Sequence, residues 1–286
     1  MRDYDLIPFR TLLDQVVVPA RRHLREILLP VALPIMIGGL LLTVSQAVWL
    51  ESLYSSDADD IGAGFCVGFV AYMGIAVALM GVYFLAFAVL IFASADAVAG
   101  RPINMGRSWK TVFKPEVLWA IFLLTVAYFG SLILCIVPAL YVVPLLTFVL
   151  PAMAEEKLSW SQAFERSVEL IHFNPSGRIS QSPFVQTFVL LAVGLIFNYA
   201  ITLAVQGPFT IVQQILIQRE AFSGSLDEAD MMRTVTWLQV PAVVLGSLAT
   251  AIAWFYTSFG SVILFRELRR RKEAPDLEAA IGQLTA

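Results

Sequence analysis

From Ile61 to Ala95 the chain runs for thirty-five residues without an Asp, Glu, Lys, Arg or His. As a helix rising about 1.5 Å per residue, that stretch is about 52 Å long. The hydrocarbon core of a bilayer is about 30 Å thick, and roughly 20 apolar residues cross it. A chain carrying such a segment is expected to live in a membrane, with its other segments arranged to pack beside it.

Composition points the same way. The 286 residues are 58% hydrophobic and 14% charged, where soluble domains average about 25% charged. A pI of 5.5, with no basic module interleaved with aromatics, argues against nucleic acid as a partner. The two cysteines, Cys66 and Cys135, lie in apolar stretches and read as small buried hydrophobes. Whether they meet stays open. The first apolar run begins only at Ile27, behind a mixed-charge segment, so a cleavable signal is not expected.

Taken in order, the chain predicts an all-α integral membrane protein, a six-helix transmembrane bundle with cytoplasmic interfacial amphipathic helices. Residues 1–286 form one polytopic domain. An interfacial helix over 9–26 carries a stripe from Phe9 to Leu24 at helical spacing and is expected to bend at Pro19. Spans follow at 27–50, 61–95, 117–136, 138–154, 183–205 and 234–265. Pro138 and Pro144 are the expected breakpoints of the charge-free run 117–154, and Pro151 its close. That run reads either as two thin crossings or as a re-entrant hairpin. A second interfacial helix is expected over 159–173, opened by the capping-box spacing of Ser159 and Gln162, with Trp160, Phe164, Val168 and Ile171 as its apolar face. A cytoplasmic tail over 270–286 closes the chain.

The charges set the orientation. Five of the 19 Lys and Arg precede Ile27, four lie in Arg101–Lys114, three in Lys157–Arg178 and five in Arg266–Lys272. Only Arg219 and Arg233 fall on the other side. The positive-inside rule then places both termini in the cytoplasm. The acidic bend at Asp57, Asp59 and Asp60 lies opposite.

Small residues promote association of helices in lipid because they let backbones approach closely. Gly64, Gly68, Gly74 and Ala78 form one such stripe and Gly246, Ala249 and Ala253 another. The two long helices are expected to pack together, or one of them to form a dimer seam. The basic clusters Arg21, Arg22 and Arg25, Arg101, Arg107 and Lys110, and Arg269, Arg270 and Arg271 are candidate contacts for anionic headgroups or a partner. Intramembrane ionisable groups mark transport pathways. Asp96 is the one candidate, with Arg101 five residues on as its expected salt-bridge partner, and Asn198 could line a polar path. His23 and His172 sit in amphipathic segments without metal-ligand spacing, and no P-loop, nucleophile elbow or dinucleotide fingerprint occurs. No catalytic, cofactor or metal residue is expected.

The stretch Val149–His172, VLPAMAEEKLSWSQAFERSVELIH, has a span ending in Pro151, then acidic residues, then a helix carrying Ala163, Phe164, Arg166, Ser167 and Leu170. In this it resembles a broad group of bacterial six-span proteins similar to the membrane domain of some glycerophosphodiester phosphodiesterases. The Gly100-Arg101 turn and the amphipathic N-terminal segment fit the same layout. The resemblance covers most of the chain in layout and one helix in motif. It implies a bacterial inner-membrane bundle, without the catalytic domain. Residues 174–182 and the long segment before span six depart from it.

Two functions are therefore expected in competition. One is a non-enzymatic accessory or scaffold subunit of a membrane assembly, in contact with lipids and with other subunits or its own copy. The other is a small carrier or lipid-handling protein with a cavity between spans two, five and six.

Overall fold

The computed structural model describes residues 9–55, 61–134, 136–173, 182–223 and 228–284. The Asp57–Asp60 bend, Cys135 and residues 174–181 fall outside that set, as do the side-chain surroundings of Gly64 and Cys66. The described residues form nine helices and no strand: α1 (Phe9–Ser55), α2 (Ile61–Val98), α3 (Met105–Val112), α4 (Pro115–Leu134), α5 (Ile136–Leu146), α6 (Val149–Glu156), α7 (Trp160–His172), α8 (Pro183–Ser223) and α9 (Glu228–Leu284). Five stretches are long and apolar enough to cross a membrane. They become six if α3 and α4, bent by 71° at their junction, count as one. The protein is an all-α membrane bundle.

The proline expected to bend the N-terminal segment, Pro19, does not end the helix. α1 continues through it for 47 residues, because a buried stripe runs across it at Val16, Ala20, Ile27, Val31 and Ile35. Holding that stripe in one helix outweighs the single backbone bond a proline forfeits. Likewise α9 runs unbroken for 57 residues, about 86 Å, and absorbs the expected tail.

Of the two breakpoints expected inside 115–156, Pro138 falls in the first turn of α5 and the one at Pro144 is displaced. Pro144 lies inside α5, and the chain turns at Thr147 and Phe148. Three of the carbonyls orphaned at the end of α5 find donors. The Thr147 hydroxyl donates to Val143 O at 2.8 Å and its N–H to Pro144 O at 3.2 Å, while the Ser167 hydroxyl of α7 donates to Leu145 O. In lipid each unpaired group would cost several kcal/mol, so this turn forms only where α7 can reach it. Pro151 opens α6 rather than closing a span, in a first turn where no intrahelical donor is needed.

Contacts divide the chain into two compact units. Unit 1 comprises Met1–Ile27, Phe87–Leu195 and Trp254–Ala286, and unit 2 comprises Leu28–Ala86 and Ile196–Ala253. Unit 1 contains every Lys and Arg except Arg219 and Arg233. Its core is made by α2 and α9, buried on nearly all sides from Ala86 to Ala95 and from Trp254 to Phe265. The two run parallel there, touching at Phe87 and Trp254 (rings 5.8 Å apart) and again where Arg266 meets the end of α2. α4 to α7 pack around one another beside this pair.

Unit 2 is held by glycines at close crossings. A Cβ on Gly38 would strike Leu79, and one on Gly68 would strike the Trp49 indole. The pairs lie eleven residues apart on both strands of the hairpin, so α1 and α2 are antiparallel and in register. Gly39 faces Val243, and Gly246 is covered by Gln206, whose amide donates to Ala242 O at 3.5 Å. Seven residues on, Gln213 donates to Val235 O at 3.2 Å. Two glutamines at heptad spacing thus fix the antiparallel register of α8 on α9.

Gly68 and Gly74 provide a test. Gly68→Leu must expel Trp49 and is expected to cost about 1–3 kcal/mol. Gly74→Leu meets nothing within 4 Å and is expected to stay within about 0.5 kcal/mol of the parent. Unfolding in detergent, followed by tryptophan fluorescence, measures both.

Candidate functional site

The basic end of unit 1 begins at the last turn of α2. Gly100, in the left-handed region at φ +68°, lets the Gly100 N–H reach Ala97 O and the Arg101 N–H reach Asp96 O, at 3.0 and 2.9 Å. Ala99 N–H takes Ala95 O. The last carbonyl, Val98 O, accepts from Arg266 Nη1 of α9 at 2.7 Å. All four terminal carbonyls are satisfied, three locally and one by a side chain from 168 residues away.

Arg266 uses its other arm on Glu155 of α6, at 2.7 Å. The Glu155 side chain is only 8% exposed. Next to it, Glu156 takes Arg166 of α7 at 3.4 Å and Arg269 of α9 at 3.3 Å. Glu273 binds both of those arginines, Glu169 binds Arg166 and Lys272, and Glu267 takes Arg270 and Arg271. Burial pulls the Arg166 guanidinium down, but Glu156, Glu169 and Glu273 outweigh it and hold it above its ordinary value. The Lys272 hydrogen bond, helped by Arg166 against the effect of burial, holds Glu169 below the ordinary carboxylate value.

α3 is a different surface. Asn104 caps it, accepting from the Arg107 N–H at 3.0 Å. Its bend from α4 leaves a cleft of about 360 Å³ between the end of α2, α3, the start of α4 and the end of α6. Arg101, Arg107, Lys114 and Lys157 line it with Asp96 and Glu116, above Phe92, Val117 and Met153. Lys157 caps α6 in the left-handed region at φ 55°, a conformation uncommon for a non-glycine residue.

The sequence candidates separate on this geometry. Asp96 pairs with Arg101 at 2.8 Å and lines the cleft. Arg269, Arg270 and Arg271 are all engaged by glutamates. Arg21, Arg22, Arg25, Arg107 and Lys110 are at least partly exposed, and Arg107 alone of these faces the cleft. Gly68 and Gly246 sit at helix crossings, Ala249 and Ala253 are buried, and Gly74 and Ala78 face outward. Gly68 of α2 meets Trp49 of α1 and Gly246 of α9 meets Gln206 of α8, while α2 and α9 touch at Phe87 and Trp254. Asn198 Oδ1 and, one turn on, Thr202 Oγ1 are buried without a partner among the described residues. The apolar face expected for α7 is rotated: Ala163, Ser167, Leu170 and Ile171 are buried, while Trp160 and Phe164 are exposed. Sequence reasoning passed over Lys114, Lys157 and Ser108. Only their placement beside Arg101 and Arg107 marks them.

No family model, curated protein or solved structure matches this chain.

Removing Arg266 frees both a nearly buried carboxylate and a helix-end carbonyl. Arg266→Leu is expected to cost about 2 kcal/mol, the scale of a charge-assisted hydrogen bond. Adding Glu155→Leu recovers part of the loss, since an apolar pair leaves no charge stranded. Thermal unfolding of the two variants checks both. The Glu169 shift fixes the sign of a pH effect. A depressed carboxylate stabilises the fold above its unfolded value, about 4.3, and that contribution fades as pH falls below it. The thermal midpoint is expected to drop in that acid range, and to drop less steeply in Glu169→Gln.

Proposed function

We propose that this chain is a non-enzymatic, multi-pass membrane protein that serves as an accessory or scaffold subunit, packing a further membrane helix from its own copy or another subunit. The observation that carries this reading is the outer face of α2. Gly74, Ala78 and Gly81 are exposed at helical spacing, and neither glycine has an atom within 4 Å of where a Cβ would stand. A glycine inside a helix costs about 0.5–1 kcal/mol relative to alanine. Facing lipid, it gains nothing for that cost; facing another helix, it permits close approach. The gathering of cations in unit 1 supports a cytoplasmic basic end and cytoplasmic termini. The likeness of 149–172 to the membrane domain of glycerophosphodiester phosphodiesterases supports a bacterial inner membrane.

A second reading, a carrier or lipid-handling protein, is favoured by Asn198 and Thr202, whose buried polar atoms lack partners one turn apart on α8. Light scattering of protein extracted in mild detergent separates the two. Scaffolding predicts a stoichiometric complex that Gly74→Leu/Gly81→Leu releases as monomer, with the thermal midpoint unchanged. A wild-type chain that runs as a monomer carrying only lipid would overturn it in favour of the carrier.

A further inference from the structure

The cations of unit 1 fall into two populations. On α7 and α9, Arg166, Arg266, Arg269, Arg270, Arg271 and Lys272 are each matched to a glutamate. Around the cleft the match fails. Arg101 is taken by Asp96, but the side chains of Arg107, Lys114 and Lys157 have no acceptor or ion-pair partner among the described residues. With Asp96 taken by Arg101, these three cations face one further carboxylate, Glu116, so the cleft keeps a net positive charge, and the fold holds it there all the same.

We propose that this cleft binds a phosphate-bearing anion, with Arg107, Lys114 and Lys157 as its charge partners; the Ser108 and Thr111 hydroxyls in its lining donate to Asn104 O and Arg107 O. Arg107, Ser108, Thr111 and Lys114 follow one another along a single face of α3 and its exit, at i, i+1, i+4 and i+7. The left-handed turn at the end of α6 brings Lys157 to the same cleft from the other side. A carboxylate is satisfied by one arginine. Several converging cations suit the larger, multiply accepting phosphate group, which Arg engages as a fork and Lys as a point charge.

The volume, about 360 Å³, exceeds a bare phosphate and leaves room for the glycerol or alcohol attached to it. The surroundings point to the headgroup level of a bilayer. α3 lies at 71° to α4, near the membrane plane if α4 stands along the normal. Stacked rings neighbour the cleft residues along the chain, exposed Phe113 on half-buried Trp109 and exposed Trp119 on exposed Phe122, as in an interfacial aromatic belt. This site is independent of the α2 face that carries the scaffold reading, and its test does not read oligomeric state.

The full-length protein, reconstituted in phosphatidylcholine nanodiscs doped with phosphatidylglycerol, is stripped into phosphatidylcholine-like detergent, and the retained lipid is counted by native mass spectrometry. Wild type is expected to retain phosphatidylglycerol. Arg107→Gln, Lys114→Gln and Lys157→Gln should each lower retention about five-fold. Lys157→Asn, whose side chain tolerates the left-handed conformation, repeats the Lys157 test should glutamine disturb the turn. Lys110→Gln, on α3 but outside the cleft, should leave retention unchanged. Inorganic phosphate added as competitor separates the sources: no displacement assigns the cleft to a lipid headgroup, and displacement assigns it to soluble phosphate compounds. Equal losses in Lys110→Gln and the cleft variants, or no retention together with no phosphate binding, would overturn the proposal.

Discussion

A helix that ends near a membrane leaves carbonyls that lipid cannot satisfy; at the end of α2 the following turn takes three and one arginine takes the fourth. Arg266 donates to Val98 O and binds Glu155 with its other arm. Through that single side chain, α9 is locked in register with α2, and α6 is tied to both. The neighbouring Glu156 then draws in Arg166 of α7 and Arg269, one turn along α9. Beside the apolar contact of Phe87 with Trp254, the carbonyl bond adds a charged, directional tie that sets how far one helix slides along the other. An apolar seam in a membrane is permissive of sliding; a charged hydrogen bond is not.

The glutamates are therefore spent on architecture. Glu155, Glu156, Glu169, Glu267 and Glu273 each hold a cation that would otherwise face solvent or lipid, so much of the positive charge at this end is internally balanced. Charge counting along a sequence cannot see this. It gives Arg269 and Arg107 equal weight as orientation signals, yet Arg269 is held by Glu156 and Glu273 while Arg107 faces an open cleft. The electrostatic field that reaches a ligand comes from the unmatched cations, chiefly those on and around α3.

The parts of the fold legible in the sequence were those fixed by composition and local chemistry. The charge-free run 61–95 became α2, the Ser159–Gln162 spacing became the start of α7, with the Ser159 N–H donating to Gln162 Oε1 at 3.2 Å, and Gly100 became a left-handed helix stop. What escaped depends on partners distant in the chain. Pro144 looked like a break, because a missing donor is visible locally while the Ser167 hydroxyl that completes the α5 turn is not. The face of α7 was misassigned because Trp160 and Phe164 outrank Ala163 and Ser167 in hydrophobicity. Against closely packed helices small size decides burial; lipid takes the large aromatic rings. The cleft was half legible: Arg101 and Arg107 stand out in sequence, but Lys157 reaches them only through the fold of α6.

The two α2 glycines show most sharply where a pattern ends and a structure begins. Gly68 and Gly74 belong to one small-residue stripe and, read along the chain, are equivalent. One exists to admit the Trp49 ring; beside the other there is open space. The difference arises because α1 packs against only one flank of α2, so a stripe that follows the helix around leaves that flank within two turns. The residues that remain on the free side keep their small size without any internal neighbour to require it. Among the described residues nothing lies within 4 Å of a Cβ at Gly74 or Gly81, so their small size is left for the proposed partner helix to use.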